Sequence, residues 1–271
     1  MVDTGTLIED ERAAPAPAAG RRRRRRHLVL RLPVVFGAYV AAAMFATWPL
    51  ARFAGTRLMG DLGDPALNAW IFGWGAHGIL HQPLHLFSAN MFHPERLSLA
   101  YSENVLGMSL PVSPVFWLTH NAVLTENVAL FAWLAIGGAG TFALVRRLTG
   151  SPAGAFVAGL AFTIAPYRLS QITHPHVIGA ALVPVVVLLV LRLEEHAAHP
   201  RRTMATLGLV VAAQFWASIN GGILVLCALC GWAVWLLVRS HRAALPHLAR
   251  AAAGTAVGVV LALPVLTPYL R

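Results

Sequence analysis

The sequence predicts an all-α protein, a polytopic bundle of about seven membrane-spanning helices whose first external loop is itself helical. Composition and patterning both support this fold class. The 271-residue chain is 57% hydrophobic and only 12% charged, with a mean hydropathy of +0.64, whereas soluble domains carry about 25% charged residues. The apolar residues also occur in blocks close to the roughly 17–25 residues with which a helix spans a bilayer.

The apolar blocks define the predicted elements in chain order. Residues 1–27 are predicted to be a disordered cytoplasmic tail, because they are rich in alanine, proline and charge and offer little to a core. Residues 28–271 form the predicted membrane domain. Its predicted spans are residues 33–50, 126–145, 152–168, 177–193, 203–219, 222–238 and 251–270.

The arginines predict the orientation of the bundle. All 21 Lys and Arg residues are arginines, and they gather at the ends of apolar blocks, beginning with the run at 21–26. If the N-terminus is cytoplasmic, the arginines left outside are Arg52, Arg57, Arg96, Arg168 and Arg271. This asymmetry follows the positive-inside rule. The net charge of +10 is therefore assigned to topology rather than to nucleic-acid binding, since no aromatic residues interleave the arginine run.

The longest external segment is predicted to be the loop 52–125. Within it, residues 66–80 have helical character, and residues 104–120 form a second apolar helix whose prolines favour an interfacial or re-entrant position over a full span. Polar clusters border this loop and the outer ends of later spans. The predicted cytoplasmic loops offer mainly arginine and histidine, so function is predicted to face outward.

Two of the chain's 11 acidic residues lie in the hexapeptide 60–65, Gly-Asp-Leu-Gly-Asp-Pro. Asp64 precedes Pro65 and is interpreted either as the N-cap of the following helix or as a functional carboxylate. Asp61 has no comparable structural role. A partly desolvated carboxylate near the bilayer surface suits a general base, because burial raises its pKa.

A second set of candidates follows the block that ends near residue 168. Arg168 is suited to bind a phosphate bidentately, although snorkelling to lipid headgroups explains it equally well. His174 and His176 are candidates for contacting a diphosphate, acting as an acid or ligating a metal, but they lack a definite third ligand. Tyr101 and Glu103 complete the predicted substrate-binding residues; Glu103 also stands just before the apolar helix 104–120, whose dipole it would compensate.

At this point the layout resembles the GT-C superfamily of polytopic glycosyltransferases, which includes protein mannosyltransferases, aminoarabinose transferases and related bacterial membrane proteins. The hexapeptide 60–65 corresponds to the family's acidic position early in the first external loop, and residues 66–80 and 104–120 correspond to its helices along the membrane. Residues 142–150, Phe-Ala-Leu-Val-Arg-Arg-Leu-Thr-Gly, are similar to the cytoplasmic end of the family's second membrane helix. Phe92-His93-Pro94 with residues 97–99 resembles an element of uncharacterised bacterial members.

The resemblance implies a bacterial plasma-membrane enzyme that transfers a hexose or pentose, with inversion, from a polyprenyl-phosphate donor to an acceptor outside the cytoplasm. Asp61 would be the general base and Asp64 a second candidate, since the motif differs from the Asp-Glu pair of several subfamilies. Arg168 would hold the donor phosphate, while His174 and His176 would shape the site. The chain is expected to be an N-terminal portion of such an enzyme, truncated at its C-terminus.

The alternative is a non-catalytic integral membrane protein, such as a transporter subunit or an assembly scaffold, or an inactive fragment of the enzyme. Transporters often carry ionisable groups in the middle of the membrane, and the predicted spans have almost no charge at their centres. That distribution favours the interfacial enzyme. The predicted partners are a lipid-linked sugar donor and membrane lipids, with no nucleic acid. No cofactor or dedicated metal site is predicted, although the candidate residues are compatible with a divalent cation.

Overall fold

A computed structural model describes residues 19–60, 63–195 and 199–271, with side chains from Leu32 onward. The chain divides into the units Met1–Val34 and Val35–Arg271. The described part of the first unit is helical from Ala19, and the candidate site residues all belong to the second unit. The predicted tail at 1–27 falls largely on residues 1–18, which lie outside the described residues.

The described residues form helices joined by turns and include no β-strand, as the predicted all-α class requires. The α-helices are α1 (Ala19–Ala46), α2 (Asp64–His81), α3 (Leu106–Thr119), α4 (Ala122–Thr149), α5 (Pro152–Thr163), α6 (Pro166–Ser170), α7 (Pro175–Ile178), α8 (Val183–Glu194), α9 (Pro200–Ala217), α10 (Ile219–Ser240) and α11 (Leu245–Leu266). Short 3₁₀ helices occupy Leu50–Phe53, Pro83–His85, Ser98–Tyr101, Gly179–Leu182, His241–Ala244 and Thr267–Leu270.

Three apolar stretches in the described chain are long enough to cross a membrane, fewer than the seven spans predicted. They are Ala122–Thr149, Pro175–Glu194 and Ile219–Leu270. The third contains both α10 and α11, each of 22 residues and so about 33 Å long at 1.5 Å per residue. The two predicted helices of the external loop are present as α2 and α3.

The predicted span 152–168 shows why the number of long helices falls short of the prediction. Helix α5 has only 12 residues and ends at Thr163, so it is about 18 Å long, against a hydrocarbon core of about 30 Å. The helix ends there because Pro166 disfavours helical geometry at the preceding residue and supplies no amide hydrogen. Ala165 is accordingly extended, with φ −52° and ψ 131°. Hydropathy alone does not register such a break.

The bundle is organised around α4 and α9. Helix α4 packs against α2, α3, α5 and α8, while α9 packs against α3, α8, α10 and α11. The contact of α9 with α11 is close because glycines face each other across it: a Cβ on Gly254 would lie 2.8 Å from the carbonyl oxygen of Met204, and one on Gly258 would lie 2.7 Å from that of Gly208. Small residues permit this approach of two helix backbones.

The two ends of the bundle differ in chemistry. At one end, termed the arginine end, α4, α8 and α10 finish and α11 begins; there Arg147 pairs with Glu195, and Glu194 accepts a hydrogen bond from the Trp232 indole. At the other, termed the polar end, α2, α4 and α10 begin. The arginine-bearing loops that were predicted to share one side of the membrane thus lie at one end of the fold.

Candidate functional site

Gly60 and Asp64, on either side of the predicted base, lie against the loop between α6 and α7 at the polar end. Asp61 and Leu62 lie outside the described residues, so the role of Asp61 as the base stays a prediction. The neighbouring Gly60 has φ +82°, and a Cβ on it would lie 2.5 Å from Cγ2 of Thr173. Only glycine adopts this conformation readily and leaves room for the threonine methyl group. Gly60 and the start of α2 thus both lie against residues 173 and 174.

Asp64 meets His174 at this junction. The distance from Asp64 Oδ2 to His174 Nε2 is 3.2 Å, and the two side chains are 63% and 37% exposed. The other ring nitrogen of the histidine, Nδ1, lies 3.1 Å from the Thr173 hydroxyl oxygen, and the Thr173 carbonyl accepts a hydrogen bond of 3.0 Å from the Asn68 amide. Both nitrogens of the imidazole therefore have polar neighbours, and α2 holds the loop that carries it.

Asp64 does not occupy the N-cap position that the sequence predicts for it. Helix α2 begins at Asp64, with Gly63 as the residue before it, so the carboxylate lies in the first helical turn rather than at the N-cap. In that turn a negative charge is favoured by the helix dipole. Pro65 occupies the first turn as predicted. The side chain of Asp64 is consequently directed to His174 instead of to the backbone of its own helix.

His176 and Glu103 extend the polar cluster. The ring of His176 is half-buried and meets that of His174 edge to face, with centroids 5.7 Å apart. Glu103 and Asp64 both lie close enough to His176 to interact with it electrostatically. The structure therefore brings four of the predicted site residues, Asp64, Glu103, His174 and His176, into one cluster at the polar end.

Glu103 compensates a different helix from the one predicted. Its two carboxylate oxygens accept backbone hydrogen bonds from Ile219 (2.9 Å) and Asn220 (3.1 Å), at the start of α10. At the start of helix α3, which follows Glu103 in the sequence, the Leu106 amide donates instead to the side-chain oxygen of Asn104. Because the free amides of a helix N-terminus attract any nearby carboxylate, spatial contact rather than sequence order decides which helix Glu103 stabilises.

The Arg168 side chain is buried and not exposed to solvent. Only 6% of the residue is exposed; one guanidinium nitrogen donates to the Ile178 carbonyl at 3.4 Å, and the group lies 4.7 Å from the centre of the Phe162 ring. Its Nε has no hydrogen-bond acceptor among the described residues. In this position the guanidinium ties the segment after α5 to α7, and its predicted contact with a donor phosphate stays a prediction that the burial does not favour.

Tyr101 belongs to a different set of contacts. Its hydroxyl donates to Glu95 Oε2 at 3.3 Å, and its ring lies 5.6 Å from that of Phe92. Partial desolvation, and after it the charge of Glu95 and the hydrogen bond to it, raise the pKa of the Tyr101 phenol. The residue is 60% exposed and faces outward from this loop.

Glu126 and Asn127, at the beginning of α4, were not among the predicted site residues. Glu126 is 1% exposed, and its Oε2 has no hydrogen-bond partner in the described part of the chain. The neighbouring Asn127 amide donates to the carbonyls of Ala54 and Arg57, both at 2.8 Å. The sequence does carry a signal for this pair, since an acid and an amide stand side by side at the first positions of an apolar block. Ionisable groups in such segments are usually functional.

An aromatic cavity opens on the side of α2. It has a volume of about 360 Å³ and is lined by Trp70, Gly73, Trp74, His77, Asn90, Phe116 and Ala122. The two indole rings are stacked with centroids 6.2 Å apart, and the Trp70 indole donates to Asn90 at 3.2 Å. Flat apolar indole faces beside the exposed amide of Asn90 form a surface suited to the apolar face of a small polar ring.

The cluster around His174 offers proton transfer rather than a complete metal site. In the described chain, no group of three or more His, Cys, Asp or Glu side chains is arranged to hold a metal ion. A carboxylate beside an imidazole, as in Asp64 and His174, orients the ring, which is a common arrangement for general acid–base chemistry. Comparison of the chain with family models, with curated proteins and with solved structures gave no match.

Proposed function

We propose that the protein is a multi-pass membrane glycosyltransferase that moves a sugar from a polyprenyl-phosphate donor to an acceptor on the external face of a bacterial plasma membrane, with its N-terminus in the cytoplasm. The observation that carries the proposal is the contact of Asp64 with His174. It joins the acidic loop at the start of α2 to the histidine loop before α7, which are far apart in the sequence. Both loops carry predicted site residues, and Asp64 and His174 are in contact in the fold.

The reaction requires a base that deprotonates the acceptor and a group that stabilises the negative charge of the leaving phosphate. Asp64 or Asp61 removes the proton from an acceptor hydroxyl. The acceptor oxygen forms a bond to C1 of the sugar as the bond from C1 to the phosphate oxygen breaks, with inversion at C1, and the electron pair leaves with the polyprenyl phosphate. His176 donates a hydrogen bond from its imidazole to that phosphate, while His174 holds the Asp64 carboxylate in place. Arg168 is not needed for this step in its buried position.

The aromatic cavity is the proposed site for the sugar or the acceptor. Helix α2 carries both Asp64 at its first position and Trp70 and Trp74 further along, so one rigid element would orient the base relative to the bound ring. Rigid positioning of reacting groups is a large part of enzymatic rate enhancement. The indole faces and Asn90 supply, respectively, apolar contact and hydrogen bonds.

The test measures sugar transfer by the full chain in proteoliposomes. The donor is polyprenyl phosphate carrying a radiolabelled hexose or pentose, bacterial envelope extract supplies the acceptor, and the readout is label lost from the lipid fraction. We expect at least one of Asp61→Asn and Asp64→Asn to lower the rate by about a hundredfold or more, the usual contribution of a general base.

Glu95→Gln is the matched control, because Glu95 is an exposed acid of the same external loop that contacts Tyr101 and not the cluster. It should leave the rate within about twofold. Asp64→Asn should also leave the thermal unfolding temperature nearly unchanged, since an exposed ion pair contributes little to stability. Unchanged transfer in both aspartate variants, with wild-type transfer measurable, would refute the proposal.

A second candidate, an ion-coupled transporter subunit, is favoured by Glu126 alone. This carboxyl group is enclosed within α4 and has an oxygen without a partner among the described residues. A group of this kind in a membrane helix is a candidate for carrying a proton or cation.

Proton flux into vesicles separates the two candidates. With a pH-sensitive dye enclosed and a membrane potential imposed, a transporter acidifies the lumen, and Glu126→Gln abolishes that flux because glutamine cannot exchange a proton. Asp64→Asn should leave the flux unchanged. If wild type shows no flux above protein-free vesicles, the second candidate is eliminated.

A further inference from the structure

Two arginines share one aromatic ring in the segment between α1 and α2. The guanidinium carbon of Arg57 lies 4.2 Å from the centre of the Phe53 ring, and that of Arg52 lies 5.5 Å from the same point. Arginine stacks favourably on the face of an aromatic ring, and the contact restricts a side chain that is otherwise mobile. Phe53 therefore holds two positive charges beside a single side chain.

Hydrogen bonds from the start of α4 hold the backbone that carries the arginines. The side-chain amide of Asn121, the N-cap of α4, donates to the Gly55 carbonyl at 2.7 Å. The amide of Asn127, which is fully buried, donates to the carbonyls of Ala54 and Arg57, both at 2.8 Å. Three successive segments of the loop are thus tied to one long helix, so the positions from which the two arginines extend are fixed before any ligand binds.

Neither of the two arginines is neutralised within the described part of the chain. The carboxylates that form ion pairs there are Glu195, with Arg147, and Asp64, with His174, and both arginines on Phe53 are exposed. Because α4 begins at the polar end, the pair lies at the end of the bundle opposite the arginine-rich loops. Like charges held close together repel each other, and an anion bound between them relieves that repulsion.

The loop borders the membrane surface when α4 spans a bilayer. Helix α4 is long and apolar enough to do so, and the loop is bonded to its first residues. Trp48, just before the loop, is 64% exposed, and tryptophan is enriched where a protein crosses the membrane–water interface. The abundant anions at that depth are the phosphates of lipid headgroups, whose oxygens match the parallel N–H groups of a guanidinium.

We infer that Arg52, Arg57 and Phe53 form a binding site for the phosphate group of an anionic phospholipid. The two guanidinium groups donate hydrogen bonds to the phosphate oxygens, and the phenyl ring holds both groups in position. The site requires only that the protein resides in a membrane, and it is independent of the proposed catalysis.

Photolabelling locates the headgroup on the chain. Vesicles that contain the full-length protein are doped with a phosphatidylglycerol analogue carrying a photoreactive headgroup, and mass spectrometry after proteolysis measures the label on residues 48–60. We expect this segment to be labelled in wild type. The double variant Arg52→Gln and Arg57→Gln should lower its labelling about tenfold or more, since each basic residue at the membrane surface contributes roughly fivefold to anionic-lipid binding. Label on residues 239–250, at the arginine end, should not change.

The aromatic ring is tested with both charges kept. Phe53→Leu removes the stacking face and should lower the labelling about threefold or more, because the two guanidinium groups are no longer held together. Phe53→Tyr keeps the ring and should label like wild type. The matched charge control, Arg201→Gln with Arg202→Gln, removes two exposed arginines from the start of α9 and should leave the label on residues 48–60 unchanged.

Competition identifies the ligand. Excess unlabelled phosphatidylglycerol should suppress the label on residues 48–60, whereas the same excess of phosphatidylcholine should not. Equal suppression by both lipids would overturn the inference, and so would wild-type labelling in the double arginine variant. Unchanged labelling in Phe53→Leu would reduce the pair to a solvated positive surface. Suppression by millimolar inorganic phosphate would assign the pair to a soluble phosphate and not to a lipid.

Discussion

Gly60 determines how closely the acidic loop approaches the histidine loop. Its φ of +82° is costly for any residue with a Cβ, and the added atom would also press on Thr173. Gly150 has a similar φ of +70° but no atom within 4 Å of its virtual Cβ. Substituting alanine at Gly150 therefore carries only the cost of a positive φ, whereas the same substitution at Gly60 adds a steric clash with Thr173.

Gly60→Ala is predicted to destabilise the protein more than Gly150→Ala does. The conformational cost of about 1–2 kcal/mol is shared by both, whereas only Gly60→Ala forces the Thr173 methyl group to move. Thermal unfolding of both variants in detergent measures the difference. Thr173→Ser removes that methyl group and keeps the hydroxyl, so Gly60→Ala combined with Thr173→Ser should behave like Gly150→Ala. An equal loss of stability in the two glycine variants would contradict this account of the turn.

Among the helices, the fold depends on interfaces so close that they leave no room for side chains larger than that of glycine. The seam of α9 and α11 contains Gly208, Gly254 and Gly258, whose virtual Cβ atoms all lie within 2.8 Å of a carbonyl oxygen on the facing helix. Gly231, in α10, has nothing within 4 Å. Packing thus requires glycine at the interface of α9 and α11 but not at Gly231.

Gly254→Ala is predicted to lower the free energy of unfolding by about 1–3 kcal/mol, the usual cost of overpacking, because the helices must separate to admit the methyl group. Gly231→Ala should be neutral or stabilising by up to about 1 kcal/mol, since alanine is the better helix former. Denaturation of both variants in the same detergent is the measurement. The account fails if both substitutions shift stability in the same direction by the same amount.

For the whole molecule, the gathering of arginine-rich loops at one end and of polar clusters at the other predicts how it inserts. The positive-inside rule assigns the arginine end to the cytoplasm. Arg96, in the external loop, and Ala243, in the turn between α10 and α11, are exposed reporters for the two sides.

In a background with Cys227 and Cys230 replaced by serine, a membrane-impermeant maleimide added to intact spheroplasts should label Arg96→Cys and leave Ala243→Cys unlabelled. Permeabilised spheroplasts should show labelling of both. The physical reason is that the charged reagent does not cross the hydrocarbon core. The reverse pattern in intact spheroplasts would invert the proposed topology and place the Asp64 cluster in the cytoplasm.

The sequence by itself determined the helical class, the two helices within residues 52–125 and the position of polar residues at helix ends, because hydropathy and proline placement are local properties. It overestimated the number of long helices, since hydropathy continued across the break before Pro166.

Only the tertiary structure decided which polar residues meet. In the folded protein Asp64 contacts His174, and Glu103 accepts hydrogen bonds at the N-terminus of α10. Arg168 and Glu126 are buried. The sequence pattern could mark each of these side chains as polar and near a helix end. Their partners are set by long-range packing, whose contacts join segments that share no local signal.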